Sequence, residues 1–230
     1  MLKKSLRQAV PVLAMLLPIL AHSDGASIAL EQCASCHALE RPDYEALGPS
    51  ERLARQAAPL YFAGNKYREE WLLQQLQTPE RINPAGYMPH ASVISTPEGD
   101  MPDEANLYQH MTLSATDAAE VTDYLMSLRP YDDLIEQDNY EPGSVSARMG
   151  QMDFRKFKGC DACHQDVAGT GGLSGPQLYT VWQRLQPAYI SSFLQQPTAW
   201  DPNSIMPVPQ MNEQAIHKLV HYLKLIGEPK

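Results

Sequence analysis

The chain carries two short runs with one spacing, Cys33-Ala34-Ser35-Cys36-His37 and Cys160-Asp161-Ala162-Cys163-His164. Each is C-x-x-C-H, and together they use all four cysteines. This is the spacing of covalent c-type haem attachment. Two thiols that add across the vinyl groups of one porphyrin must sit about one helical turn apart on one face, and the histidine that follows turns its imidazole toward the iron. Other uses of C-x-x-C fit less well. Zinc sites bring a second pair within about 15–20 residues, whereas the two runs here lie 127 apart. A thioredoxin-type motif needs a βαβ setting, and neither flank reads as strand. An internal disulfide would leave both histidines unexplained.

The N-terminus has the marks of a secretory leader. Lys3, Lys4 and Arg7 precede an apolar run from Ala9 to Ala21 that Pro11 and Pro18 interrupt, and Ala21-His22-Ser23 supplies small residues for cleavage. The expectation is a signal peptide over residues 1–23, cut near Ser23, and an exported, periplasmic product. The run is too short and too broken for a membrane anchor, and no later stretch is apolar enough to span. Export suits haem attachment, which bacteria carry out beyond the cytoplasm. Losing Lys3, Lys4 and Arg7 takes the formal charge from −9 to −12. Such an acidic surface argues against nucleic acid and anionic lipid as partners. It leaves a partner with a basic docking patch, or a merely solvated surface.

The two runs head a repeat. Gly48-Pro49 and Gly175-Pro176 each follow the motif histidine by eleven residues. Leu76-Gln77-Thr78-Pro79 then matches Leu194-Gln195-Gln196-Pro197, Met88-Pro89 matches Met206-Pro207, and Tyr124-Leu125 matches Tyr222-Leu223. Landmarks recurring in one order mark a duplicated module. The expected division is a first domain over 24–130, an acidic linker over 131–143 ending in Pro142-Gly143, and a second domain over 144–230. The first copy is longer, with insertions near 50–66 and 89–112; the latter contains Thr96-Pro97-Glu98-Gly99-Asp100 and reads as an irregular loop. Helical spacing predicts middle helices over 68–77 and 189–196. It also predicts terminal helices over 116–128, capped by Ser114, and around Ile216, Leu219, Val220, Leu223 and Ile226. No segment alternates well enough to be a strand.

A proximal histidine leaves a sixth position on each iron. Met88 and Met206 hold equivalent places, and the proline after each biases the methionine toward extended backbone. A thioether there favours ferrous iron. Around Met206 the fallback is Met211, which aligns with Leu113 and reads as packing. In the first copy Met101, His90 and His110 compete with Met88, and the repeat register favours Met88. The carbonyls of Pro49 and Pro176 are expected to accept the Nδ1–H of His37 and His164, fixing the tautomer that leaves Nε2 for metal. An ordinary turn explains the Gly-Pro pairs equally well. His217 and His221, four apart, read as a solvated helix face. Trp71, Trp182 and Trp200 read as packing around haem or core.

Each half, from C-x-x-C-H through Gly-Pro and Met-Pro to a terminal helix with Tyr-Leu, resembles a class I cytochrome c. The tandem resembles the dihaem periplasmic cytochromes of the cytochrome c4 type over nearly the whole mature chain. The resemblance implies an all-α fold of two tandem class I cytochrome c domains, each wrapped around a covalent haem. Gly150, Phe154 and Tyr222 match the crossing of the first and last helices, with Gly25 a looser match in the first half. It further implies two haem c groups held by Cys33, Cys36, Cys160 and Cys163, with iron ligated by His37, Met88, His164 and Met206. The insertions depart from the family pattern. The expected role is single-electron transfer to and from redox partners such as an oxidase, reductase or dehydrogenase, as a free carrier or as a dehydrogenase's electron-accepting subunit. The alternative is a dihaem enzyme acting on peroxide or a sulfur compound at an open first iron. Against it, the chain has no spare cysteine and is short for a dihaem peroxidase.

Overall fold

The structure is a computed structural model, and residues 24–88, 92–208 and 210–228 are described. The expected leader lies outside the described residues, as do Pro89 and His90. In the first half, α1 (Gly25–Gln32) starts where the Asp24 carboxylate accepts from the Ser27 N–H at 2.8 Å, capping an otherwise free donor. A short α2 (Pro49–Leu53) and α3 (Ala63–Lys66) lead to α4 (Glu69–Gln77). A hairpin of β1 (Val93–Thr96) and β2 (Gly99–Pro102) precedes α5 (Ala115–Ser127), which Ser114 caps as expected.

The acidic stretch expected as a strap contains a helix, α6 (Asp132–Asp138). In the second half, α7 (Ala147–Met152) runs on through a π-helical turn, Asp153–Phe157, to the second cysteine pair. Two short strands, β3 (Gln165–Val167) and β4 (Thr170–Gly171), form a second hairpin. Then come α8 (Val181–Arg184), α9 (Pro187–Gln195), α10 (Pro197–Trp200) and α11 (Glu213–Gly227). The spacing of α3 and α4 is reproduced by α8 and α9 at a constant offset of 118 residues.

Each half packs its last helix on its first. In the first half Ile28 and Ala29 of α1 meet Val121 and Leu125 of α5, with Leu72 and Leu76 of α4 behind them. The crossing is close: a Cβ on Gly25 would lie 1.8 Å from the Glu120 carbonyl oxygen. Gly25 therefore has the role that the sequence assigned more firmly to Gly150, which abuts Tyr222. In the second half Phe154 packs with Ile216, Leu219, Val220, Tyr222 and Leu223 of α11. Burying side chains of this size stabilises by about 1.5–3 kcal/mol each.

A third cluster draws on both halves. Tyr44, Tyr61 and Phe62 meet Tyr189 and Trp200, and Tyr131 lies edge-on to Trp200 with ring centres 5.4 Å apart. The fully buried Trp200 satisfies its indole N–H on Ser192 Oγ at 3.0 Å. Beside this cluster the backbones of the halves join directly. Tyr67 and Leu185 form an isolated antiparallel bridge, flanked by Arg68 N–H to the Arg184 carbonyl and Gln186 N–H to the Lys66 carbonyl, both 2.9 Å. Tyr67 and Leu185 are equivalent at the 118-residue offset, and the two flanking bonds exchange under it, since Arg184 and Gln186 are the counterparts of Lys66 and Arg68, so the junction has local two-fold symmetry.

The expected all-α fold of two tandem class I cytochrome c domains is therefore corrected on two counts. Two antiparallel hairpins are present, one within the insertion expected to be an irregular loop, the other directly after the second C-x-x-C-H. Their cause is local: Thr96-Pro97-Glu98-Gly99 and Gly169 with Gly171 supply tight turns, three of these residues being glycines at positive φ. The halves also share a core and a backbone bridge instead of standing as two separate bodies. No helix among the described residues is long and apolar enough to cross a membrane.

Candidate functional site

The two C-x-x-C-H runs fold alike. The His37 N–H donates to the Cys33 carbonyl and the His164 N–H to the Cys160 carbonyl, both at 2.9 Å. A bond of that span is one helical turn, so the first cysteine and the histidine of each motif stack on one side. All four cysteines are free thiols. Cys33 packs against the core of the first half and Cys160 against that of the second, while Cys36 and Cys163 are exposed. Burial raises the pKa of Cys33 and pushes that of Cys160 up to about 11. Neither half-buried sulfur is thus a ready thiolate, the form that attacks a disulfide.

Both histidines are held in one tautomer. His164 Nδ1 bonds the Pro176 carbonyl at 2.8 Å, as the sequence led us to expect. The approach is tight, since a Cβ on Gly175 would come within 2.5 Å of His164 Cε1. His37 Nδ1 bonds a carbonyl at 2.7 Å, but it belongs to Ala58, not Pro49. Gly48-Pro49 instead opens α2, where the Gly48 N–H donates to Glu51 Oε2 at 2.8 Å. The matching Gly-Pro spacing is a coincidence: the shorter insertion lies between His37 and Ala58, so Ala58 is the true counterpart of Pro176. The pairs Leu60-Tyr61 and Leu178-Tyr179, at the offset of 118, carried that register in the sequence. With a carbonyl fixing hydrogen on Nδ1, each ring keeps its Nε2 lone pair for a metal. Burial lowers the pKa of both imidazoles, which favours the neutral form ligation requires.

The sixth-ligand candidates differ between the halves. Met206 packs against the second core, as Cys160 and Met211 also do. Met88 is half-buried and is not part of the cluster that holds Cys33, whereas Leu113, the counterpart of Met211, is. Met101 sits exposed on β2 opposite Ile94. His110 is exposed, its ring centre 6.1 Å from that of His37, and its Nδ1 bonds the Met111 carbonyl at 2.7 Å. His217 departs from the solvated face expected of it: it packs edge-on to Tyr140, and its Nε2 is buried with no hydrogen-bond partner among the described residues.

Two cavities adjoin the histidines or their neighbours. One of about 240 Å³ lies beside Cys36 and His37 and is lined further by Tyr44, Leu47, Arg55 and Asn203, so both halves contribute. Arg55 spans the halves, forking onto Asp201 at 3.0 Å and donating to Tyr87 Oη at 2.9 Å. The other, of about 180 Å³, is lined by Trp71, Gln75, Gln183 and Arg184 among others. Arg184 is buried and donates to Thr180 Oγ1 and the Gln177 carbonyl. It has no carboxylate partner among the described residues, and burial lowers its pKa to about 10.

The donor set of each motif is one that a covalently attached haem could use. Two thiols and an imidazole with a free Nε2 share one turn, twice over. Among the described residues no group of three His, Cys, Asp or Glu side chains is placed to hold a metal ion. No family model matches the chain, and no curated protein or solved structure matches it either.

Proposed function

We propose that the chain is a dihaem electron-transfer protein, with one haem c joined to Cys33 and Cys36 and the other to Cys160 and Cys163. The observation that carries this reading is the repeated histidine geometry: at both motifs Nδ1 is tied to a backbone carbonyl and Nε2 is left free. Bound haem supplies a one-electron iron couple, and the protein tunes it through axial ligands, burial and hydrogen bonds. His37 and His164 are the proximal ligands in this reading. Met206, which packs against the same core as Cys160, would hold the second iron through its thioether, and Met88 holds the equivalent register position in the first half.

The remaining residues set the surroundings. Arg184, a buried cation lacking a carboxylate, is suited to balance acidic groups carried into the half that holds His164. The exposed Cys36 and Cys163 mark where each motif meets solvent and where a redox partner approaches. The chain's acidity favours partners with basic docking patches, and such attraction acts mainly on the rate of encounter. The expected leader would deliver the protein to the periplasm, where c-type haem is attached.

The test is to express the full chain with the haem-attachment machinery and stain a denaturing gel for covalent haem. Quantitation as the pyridine complex should return two haems per chain, and a redox titration should show two one-electron steps. A chain without covalent haem sinks the reading. Rapid turnover of peroxide by the purified protein would move it to the enzyme class.

A further inference from the structure

We infer that the insertion in the first half supplies that half's own distal ligand, His110 in place of Met88. The inference rests on the proposed attachment of haem at Cys33 and Cys36. Its starting observation is the 6.1 Å between the ring centres of His37 and His110, with the planes inclined at 64°. Imidazole nitrogen binds a metal at about 2 Å, so two rings sharing one metal on opposite sides have their centres about 6 Å apart.

The chemistry of the two rings agrees. His110 Nδ1 is engaged by the Met111 carbonyl at 2.7 Å, just as His37 Nδ1 is engaged by that of Ala58. Both therefore hold Nε2 as the lone pair. Ordinary packing accounts poorly for the pair. His110 is exposed on a stretch, Tyr108 to Thr112, whose every residue is exposed, Tyr108 by 81%. Such a segment has little apolar burial to hold an imidazole against another ring.

The backbone explains how the ring arrives there. Leu107 is buried at the near end of the stretch, and the Leu113 N–H donates to the Leu76 carbonyl at 2.9 Å at the far end. The β1–β2 hairpin takes up Val93–Pro102 of the insertion, and His110 lies on the limb between it and α5. The second half has no such insertion. There Met206 and Cys160 both pack against the buried core, whereas Met88 is not among the residues that pack with Cys33 against the core of the first half. The two halves thus present different ligand sets, and the longer first copy has a chemical reason for its length.

The experiment uses the holoprotein, with the oxidised spectrum and low-temperature electron paramagnetic resonance as readouts. The weak sulfur-to-iron band should have the intensity of one haem per chain and vanish in Met206→Ala. The other haem should give a bis-imidazole low-spin signal. His110→Ala should let the reduced protein take up one carbon monoxide per chain, while Met88→Ala leaves uptake and band intensity unchanged. A wild-type band of two haems per chain, or its halving in Met88→Ala, overturns the assignment while leaving the dihaem reading intact. Absence of covalent haem at Cys33 and Cys36 overturns both. The wild-type spectra decide even if His110→Ala fails to fold.

Discussion

The Tyr222 hydroxyl donates to Asp166 Oδ2 at 2.5 Å. Asp166 has no exposed side-chain surface and also receives a two-pronged contact from the Arg155 guanidinium, at 2.7–3.1 Å. This ties the strand after the second motif to both α11 and the π-helical turn. Removing the carboxylate strands a cation and a phenol that it had satisfied. Asp166→Ala should cost about 3 kcal/mol, and Tyr222→Phe about 1.5 kcal/mol, by chemical denaturation. Arg155→Lys should fall between wild type and Arg155→Ala, because the point charge remains while the fork is lost.

Covalent attachment predicts a count. Cys33→Ser with Cys36→Ser should leave one haem per chain, and so should Cys160→Ser with Cys163→Ser, as read by the pyridine complex. Because Tyr61 and Phe62 pack against Tyr189 and Trp200, either loss should lower the melting temperature of the whole chain. Two separate transitions, one unchanged, would show that the shared core does not couple the halves.

The junction between halves is tested at Gln186. Its side-chain amide donates to the carbonyls of Gly64 and Tyr67, both at 2.8 Å. Gln186→Ala removes one donor from each carbonyl, Gly64 keeping the Arg129 guanidinium at 2.8 Å, and should destabilise by about 1 kcal/mol in denaturant titration. A change below a few tenths would mean that water replaces the amide without cost.

Asp138 offers a pH test. Burial raises its pKa above the ordinary 3.8; Oδ1 accepts from the Gln195 amide, and Oδ2 has no hydrogen-bond partner among the described residues. The folded state therefore holds this proton more tightly than the unfolded chain. Its stabilising effect is full below the ordinary value and is lost as pH rises through the folded value. Asp138→Asn should raise the melting temperature at neutral pH, with the gain shrinking toward zero as the medium is acidified below about 4. A less stable variant at neutral pH would show that the carboxylate is needed in its charged form.

Much of the site was legible because it is local. The C-x-x-C-H turns, the Pro176 carbonyl on His164 and the Ser114 cap depend on residues close in sequence. Helices α4, α5, α9 and α11 follow from apolar spacing. The rest depends on contacts that spacing does not encode. Tyr44 and Trp200 share a cluster across more than 150 residues. Gly-Pro misled because its turn preference serves any turn, including the start of α2. The hairpin in the insertion was missed because its strands face solvent on both sides and show no alternation, with Ile94 and Met101 exposed as a pair. His110 stood among the candidates, but the register that favoured Met88 says nothing about where an inserted segment returns.

The bridge between Tyr67 and Leu185 carries a history. A contact whose two sides come from equivalent positions is isologous, the kind that two copies of one subunit form across a two-fold axis. In a single-module ancestor the same edge would join two copies, Tyr67 pairing with Tyr67 of the other copy and Lys66 with its Arg68. Fusion would then have freed the copies to diverge, one keeping a short form and the other acquiring its additional segments.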